Sequence, residues 1–333
     1  MKTVCQAIDV IPTISGQIVL ISINISLAIA ATLGNALIIA SIWRSNHLRA
    51  QTPTYFILSL AISDLLVGLV VQPLDSLVLI DWSYKTCRIQ YYKLAIAFFT
   101  CSVSIGNGMC VCLDRMLHIT KPFHYENYVT KKRALFLCIC MWVMGAGIGV
   151  MAIQPETELL MAYGAASEMC ITLVTWIYCA TKIYRVGQEQ IERISQTNSV
   201  VDAKKKLMME RKLASSLVAV LATMIVCWVP FAVVNLVLLH TDENNIIDSS
   251  GKTAHWKIIF EIRTWTVLFG YSKSTINILI FSLTNRDIKK AIRKTLGIKK
   301  SRLSPSSAKS DITVGSRKSV TDTKNSSIRN NIR

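Results

Sequence analysis

Charge is scarce in this chain. Asp, Glu, Lys and Arg make up 17% of its 333 residues, and acidic side chains number 20 against 37 basic ones. Cysteine is scarce wherever an oxidising exterior would use it. Most of the ten cysteines fall inside apolar stretches, leaving Cys5 and Cys87, so a dense disulfide framework is excluded. No metal-ligand spacing and no nucleophile–base set occurs, so no enzyme is expected: there are no candidate catalytic residues and no metal ligands. No cleavable leader is apparent either, because the apolar run starting near Ile18 is too long for one and has no cleavage motif. Internal repeats with interrupted helices in matching halves are missing as well, which argues against a transporter or channel.

What is present is apolar. Just over half the residues, 52%, are hydrophobic and the mean hydropathy is +0.41. They gather into seven long runs at residues 17–43, 53–80, 89–117, 132–154, 158–185, 208–240 and 257–283. A hydrocarbon core about 30 Å thick needs about 20 apolar residues at a rise of about 1.5 Å. Lipid tolerates only structures whose backbone groups are satisfied internally, and continuous apolar runs select helices over a barrel. The expectation is an all-α membrane protein, a seven-transmembrane helix bundle.

The net charge of +17 could suggest nucleic acid, but its placement indicates topology. Two basic residues lie between spans one and two, 5 around the next even loop, 8 around the third and 14 beyond span seven, which is 29 of 37 on one side. The positive-inside rule puts that side in the cytosol. The N-terminus is then extracellular and the C-terminus cytoplasmic, in a multi-pass protein of the plasma membrane that binds no nucleic acid. The implied organisation is an extracellular tail at 1–16, a membrane domain at 17–285, an amphipathic helix at 286–296 and a disordered cytoplasmic tail at 297–333. In the amphipathic segment Ile288, Ile292 and Leu296 recur at helical spacing among Lys and Arg. Asn24-Ile25-Ser26 matches a glycosylation acceptor but lies inside span one and is discounted.

Several short motifs occur in a fixed order along the spans. They are Gly34-Asn35 in span one, Asp64 within Leu58–Leu65 in span two, Asp114-Arg115-Met116 ending span three, and then Pro122-Phe123. Trp142 follows in span four, Cys227-Trp228-Val229-Pro230 in span six, and Asn277–Phe281 closing span seven. Together they resemble the rhodopsin-like (class A) G-protein-coupled receptors over residues 17–296. That resemblance implies a receptor that binds an extracellular small molecule or peptide and activates heterotrimeric G proteins by outward movement of helix 6. It implies a ligand cavity lined by Ala97, Cys101, Glu168, Trp228, Phe231, Asn235 and Tyr271, with Trp228 at its floor beside the Pro230 kink. The implied switch comprises Asp114, Arg115, Glu210, Pro122, Phe123, Pro230 and Phe281. Within it an Arg115–Glu210 pair closes spans three and six, and Phe123 enters a G-protein groove. Arrestin and a receptor kinase are expected at Ser304, Ser306, Ser307 and Ser310 of the tail, and the bilayer is a partner throughout.

Departures from the family pattern bear on the details. The family commonly holds a sodium ion in a polar ring, matched here by Asp64, Ser104, Ser274 and Asn277, but Lys273 stands at one ring position. Its ammonium would pair with Asp64 in place of a mobile ion, although snorkelling or a water channel is the alternative. No other cofactor is expected. The connection between spans four and five shrinks to about residues 154–158, as in melanocortin receptors, and holds no cysteine, so Cys87 lacks its usual partner and a bridge to Cys5 is open. Amine receptors carry a span-three aspartate where Ala97 stands. Glu168 is the substitute candidate for a cationic ligand group, or else an inter-helix hydrogen-bonding residue. Asn235 matches an adenine-binding asparagine of adenosine receptors. Lys273 raises an opsin reading, but the opsin lysine position holds Tyr271. Thr172 and Ile278 replace usual prolines, and Met116, Ile278 and Phe281 alter activation motifs, which keeps a non-signalling decoy receptor as the alternative.

Overall fold

The computed structural model describes residues 14–80, 84–154, 157–196, 219, 222–237 and 253–298, all within one compact unit that ends at Ile298. Its helices are α1 (Ile14–Arg44), α2 (Pro53–Ile80), α3 (Tyr84–Thr120), α4 (Lys131–Met151), α5 (Glu158–Gln196), α6 (Ala222–Val237), α7 (Thr253–Thr284) and α8 (Arg286–Thr295). Six are long and apolar enough to cross a membrane, and α6 is a shorter apolar helix. The expected spans recur in order, the sixth only over the described part of its range, Ala222–Val237, with α3 and α5 running past the limits read from hydropathy. The N-terminal tail, most of the segment joining α5 to α6, the chain 238–252 and the tail beyond Ile298 lie outside the described residues. So do Cys5 and the side chain of Cys87, and with them the bridge expected between those two cysteines.

Helix ends follow local chemistry. Thr130 caps α4 by accepting the Arg133 N–H at 3.4 Å. Asn285 caps α8 by accepting the N–H groups of Asp287 and Ile288 at 3.0 and 3.1 Å. Gly297 ends α8 at φ +69°, with its own N–H donating to Lys294 O and the Ile298 N–H to Arg293 O. That paired closure needs a left-handed residue, which glycine adopts without a Cβ clash. The buried face of α8 consists of Ile288, Ala291 and Ile292, docked on Phe281 and on α1, whereas Leu296 is exposed. The apolar edge of α8 thus packs on the bundle through its first two turns.

Large apolar side chains of α1, α4 and α5 point outward, among them Ile29, Leu33, Phe136, Val143 and Val174, as expected of helices solvated by lipid. Polar side chains do the opposite. Asn24 is fully buried, donating to Gln72 O and Ser76 Oγ at 2.9 and 3.0 Å while accepting from Gln72 Nε2 at 3.2 Å. This amide pair clamps α1 to α2 and engages the Asn24 side chain of the glycosylation-like triplet inside the bundle. Trp142 ties α4 to α2 by donating to Ser59 Oγ at 2.9 Å. A wider π turn at Val67–Val71 interrupts α2, and there Gly68 lies against Thr32 and the Ala28 carbonyl of α1.

Helices α3 and α4 meet over a feature that hydropathy alone did not bring out, Gly145 and Gly149 one turn apart. A Cβ on Gly149 would stand 3.0 Å from Ala95 O and 3.1 Å from Phe99 Cβ. One on Gly145 would stand 2.7 Å from Val103 Cγ2 and 3.0 Å from Phe99 O. Small residues at this spacing let two membrane helices approach closely. Gly147, between them, faces away with nothing within 4 Å. Gly149→Val should therefore destabilise the protein by about 1–3 kcal/mol through overpacking. Gly147→Val should leave thermal unfolding in detergent close to that of the parent, and equal melting of the two variants would contradict this packing.

Candidate functional site

The polar chemistry of the bundle lies at three depths. Away from the α8 end, a cavity opens between α2, α3, α5, α6 and α7. Ala97, Cys101, Glu168, Trp228, Phe231 and Tyr271 line it, so six of the seven residues expected there are brought together. Asn235 is not a lining residue; its Oδ1 accepts from Arg263 Nε at 3.0 Å, and it is Arg263 that reaches the cavity. The Arg263 guanidinium also lies over the Phe231 ring, 6.0 Å from its centre. Trp228 packs edge-on to both Phe231 and Tyr271, with centroids at 5.6 and 6.2 Å, and against Gly270, where a Cβ would meet the indole at 3.0 Å. Glu168 is half-buried and accepts from Ser102 Oγ at 3.4 Å.

Three ionisable residues of this cavity, Asp75, Lys93 and Arg263, are absent from the set read in the sequence. Lys93 of α3 donates to Asp75 of α2 at 2.6 Å, and both are buried. Each is a charge inside an apolar run, the same signal that singled out Glu168, and it would have found them too. Arg263 could have been found in the same way.

Deeper in the bundle lies a fully buried ionic centre. Lys273 Nζ donates to Asp64 Oδ1 at 2.7 Å and also to Ser104 Oγ. The same carboxylate oxygen accepts from Ser274 Oγ at 3.0 Å and Ser104 Oγ at 3.4 Å, while Oδ2 accepts from Asn277 Nδ2 at 2.9 Å. All five expected ring residues converge, and of the two readings open for Lys273 the pairing geometry is the one adopted. Nearby, Asn35 of α1 donates to Ser274 O at 3.4 Å, and Gly34 receives the side chain of Ile278. The residue in place of the usual span-seven proline therefore packs into the notch left by the glycine, and α7 runs unbroken. Helix α5 is likewise continuous through Thr172, which returns its hydroxyl to Glu168 O at 2.7 Å.

At the α8 end, Asp114 grips Arg115 through Oδ2, at 2.8 Å from Nε and 2.5 Å from Nη2. Its other oxygen accepts from Tyr125 OH at 2.7 Å. Burial pushes the Tyr125 phenol well above its ordinary pKa, and the adjacent Asp114 carboxylate pushes the same way, so Tyr125 stays a hydrogen-bond donor. Tyr125 is a further member of this cluster that sequence reading missed; a tyrosine in a short connecting helix carries no distinctive signal. Pro122 opens that connection and leaves Phe123 displayed, 94% exposed. Met116 and Phe281 are instead buried core residues. Glu210 lies outside the described residues, and with it the expected Arg115–Glu210 pair. Pro230 sits within the continuous α6.

Residues 34–172 and 153–281 match the family described as 7 transmembrane receptor (rhodopsin family). The chain belongs to this family. Among its relatives, the D(1B) dopamine receptor of Xenopus laevis is 27% identical over 331 residues, covering 85% of this chain and 71% of that receptor. The D(1A) dopamine receptor of Didelphis virginiana is 27% identical over 332 residues, covering 82% and 72%. The D(5)-like dopamine receptor of Takifugu rubripes is 25% identical over 313 residues, covering 83% and 66%. Rhodopsin-family members are multi-pass membrane receptors that signal through heterotrimeric G proteins and are not enzymes. Of the three receptor groups compared with the sequence, these relatives fall in the amine group, while the melanocortin and adenosine likenesses rest on single features.

The buried ionic centre yields a stability prediction. Removing one member of a buried ion pair leaves an uncompensated charge or an unmet polar group, at a cost of about 3–5 kcal/mol. Asp64→Asn and Lys273→Met should each lower the melting temperature of the solubilised receptor strongly. The Asp64→Asn/Lys273→Met double variant should recover a large part of the loss. Additive losses in the double variant would show that the two side chains do not act as a pair.

Proposed function

We propose that this chain is a plasma-membrane receptor with its N-terminus outside. An extracellular ligand in the cavity would bias α6 to swing outward at the α8 end, opening a cleft for a heterotrimeric G protein. The observation that carries this reading is the stacking of three polar centres along one bundle: the cavity, the buried Asp64–Lys273 pair, and the Asp114–Arg115–Tyr125 cluster at the α8 end. The concentration of basic residues on the α8 side supports the orientation. The exposed Phe123, on the connection beside Arg115, suits a contact with the G protein, and Asp114 keeps Arg115 folded back until α6 departs. Glu210 would strengthen the closed form by pairing with Arg115. Phosphorylation at Ser304, Ser306, Ser307 and Ser310 would add the charge that recruits arrestin.

The dopamine receptors among the relatives do not by themselves assign dopamine to this chain, because Ala97 removes the span-three carboxylate that an amine would use there. The second part of the proposal concerns sodium. Lys273 fills the place of a mobile cation with a tethered one, so the receptor is insensitive to sodium. Its affinity for any ligand should be the same in sodium and potassium buffers, and a strong sodium effect that disappears in Asp64→Asn would refute the tethered cation.

Spin or fluorescent labels on α3 and α6 should move apart when an activating ligand and G protein are both present. Arg115→Ala should reduce ligand-driven nucleotide exchange on purified G protein to the level seen without ligand. Labels that never separate, with no exchange under any ligand, would instead favour the decoy reading to which Met116, Ile278 and Phe281 point.

A further inference from the structure

The cavity holds two carboxylates in very different circumstances. Asp75 is already neutralised by the Lys93 ammonium at 2.6 Å, and both are largely buried in the cavity wall. Glu168 lines the same cavity, yet among the described residues no Lys, Arg or His lies within ion-pair distance of it. Its carboxylate is met by the Ser102 hydroxyl at 3.4 Å, a neutral donor at long range. A half-buried carboxylate in a largely apolar enclosure without a cation is an unfavourable arrangement, and a bound cation would relieve it.

Resting on the reading of this cavity as the receptor's ligand site, we infer that Glu168 on α5 is the anchor for a monocationic amine ligand. The ammonium points toward α5 and away from the α3 position held by Ala97. Three features fit that pose. The methyl group of Ala97 leaves space and adds no competing charge on α3. Phe98, Trp228, Phe231 and Tyr271 enclose the region with aromatic surface, which suits both a flat apolar body and the cation attached to it. The cavity's own cations stand elsewhere: Lys93 is nine residues before Ser102 on α3, an axial rise of about 13 Å. Arg263 is tied to Asn235 on α6. The ligand therefore lies with its cation deep beside Glu168 and Ser102. Its opposite end faces Arg263 and the Asp75–Lys93 pair, where acceptor groups are tolerated and a second cation is not. A dication is rejected on the same ground, since Asp75 has no charge to spare.

The test uses the full-length receptor, purified in detergent, in thermal unfolding scans with phenethylamine, tyramine and dopamine. Each is compared with its neutral counterpart in which a hydroxyl replaces the amine. The amines should raise the melting temperature in a saturable way and the alcohols should not. Glu168→Gln should weaken apparent amine affinity about 30-fold or more, the scale expected when one partner of a desolvated charge pair is removed. The double variant Glu168→Gln/Ala97→Asp, which moves the carboxylate to α3, should regain amine binding. If no amine stabilises the parent protein more than its alcohol partner, the assignment fails, whatever the variants do. It fails equally if Glu168→Gln binds the amines as tightly as the parent. Amine binding without nucleotide exchange on any G protein would leave the anchor standing and remove the signalling reading. Exchange driven equally by amines and alcohols would do the reverse.

Discussion

A lysine ammonium held on an aspartate in the middle of a membrane bundle is the constraint around which the other parts are arranged. Neither Lys273 nor Asp64 is tolerable alone at that depth, so α2 and α7 must stay in register for each to keep its partner. Ser104 brings α3 into the same contact, and Asn35 attaches α1 through the Ser274 carbonyl. Four helices are thus fixed at one level by groups that cannot be satisfied separately. Apolar packing then fills the space on either side, with Phe56, Leu60 and Phe281 toward α8, and Val71, Tyr271 and Trp228 toward the cavity.

A mobile sodium ion can leave such a centre when the bundle changes shape. A lysine side chain cannot. Any rearrangement of α7 must carry its own cation with it, so the centre either moves as a unit or hands the ammonium to a different acceptor. In the proposed switch, the conformational choice of the bundle would thus be tied to the geometry of α7 more directly than by a dissociable ion. The unbroken α7, with Ile278 seated against Gly34 where a proline is usual, fits a helix that moves as one piece.

Much of this architecture was legible in the sequence because membrane burial imposes coarse rules. Seven apolar runs gave the helices, and the order of short motifs gave the family. The pairing of Lys273 with Asp64 followed from the cost of charge in lipid, as did the place of Glu168 in the cavity. Other features were hidden because their cause is tertiary. Gly145 and Gly149 look like any glycines in an apolar run until Phe99 and Ala95 are seen against them. Tyr125 acquires its role only when the connection after α3 folds back onto Asp114. Asn235 reads as a ligand-facing amide in sequence, and only the position of Arg263 shows that its oxygen is already engaged. Asp75, Lys93 and Arg263, by contrast, carry the same signal as Glu168, a charge inside an apolar run.

The short connection between α4 and α5 has a kinetic consequence. Met151 and Glu158 are so close in sequence that this stretch has no spare length to fold across the mouth of the cavity. A bound molecule therefore does not wait for that strand of chain to lift before escaping. Whatever holds such a molecule in place, this connection contributes nothing to the delay.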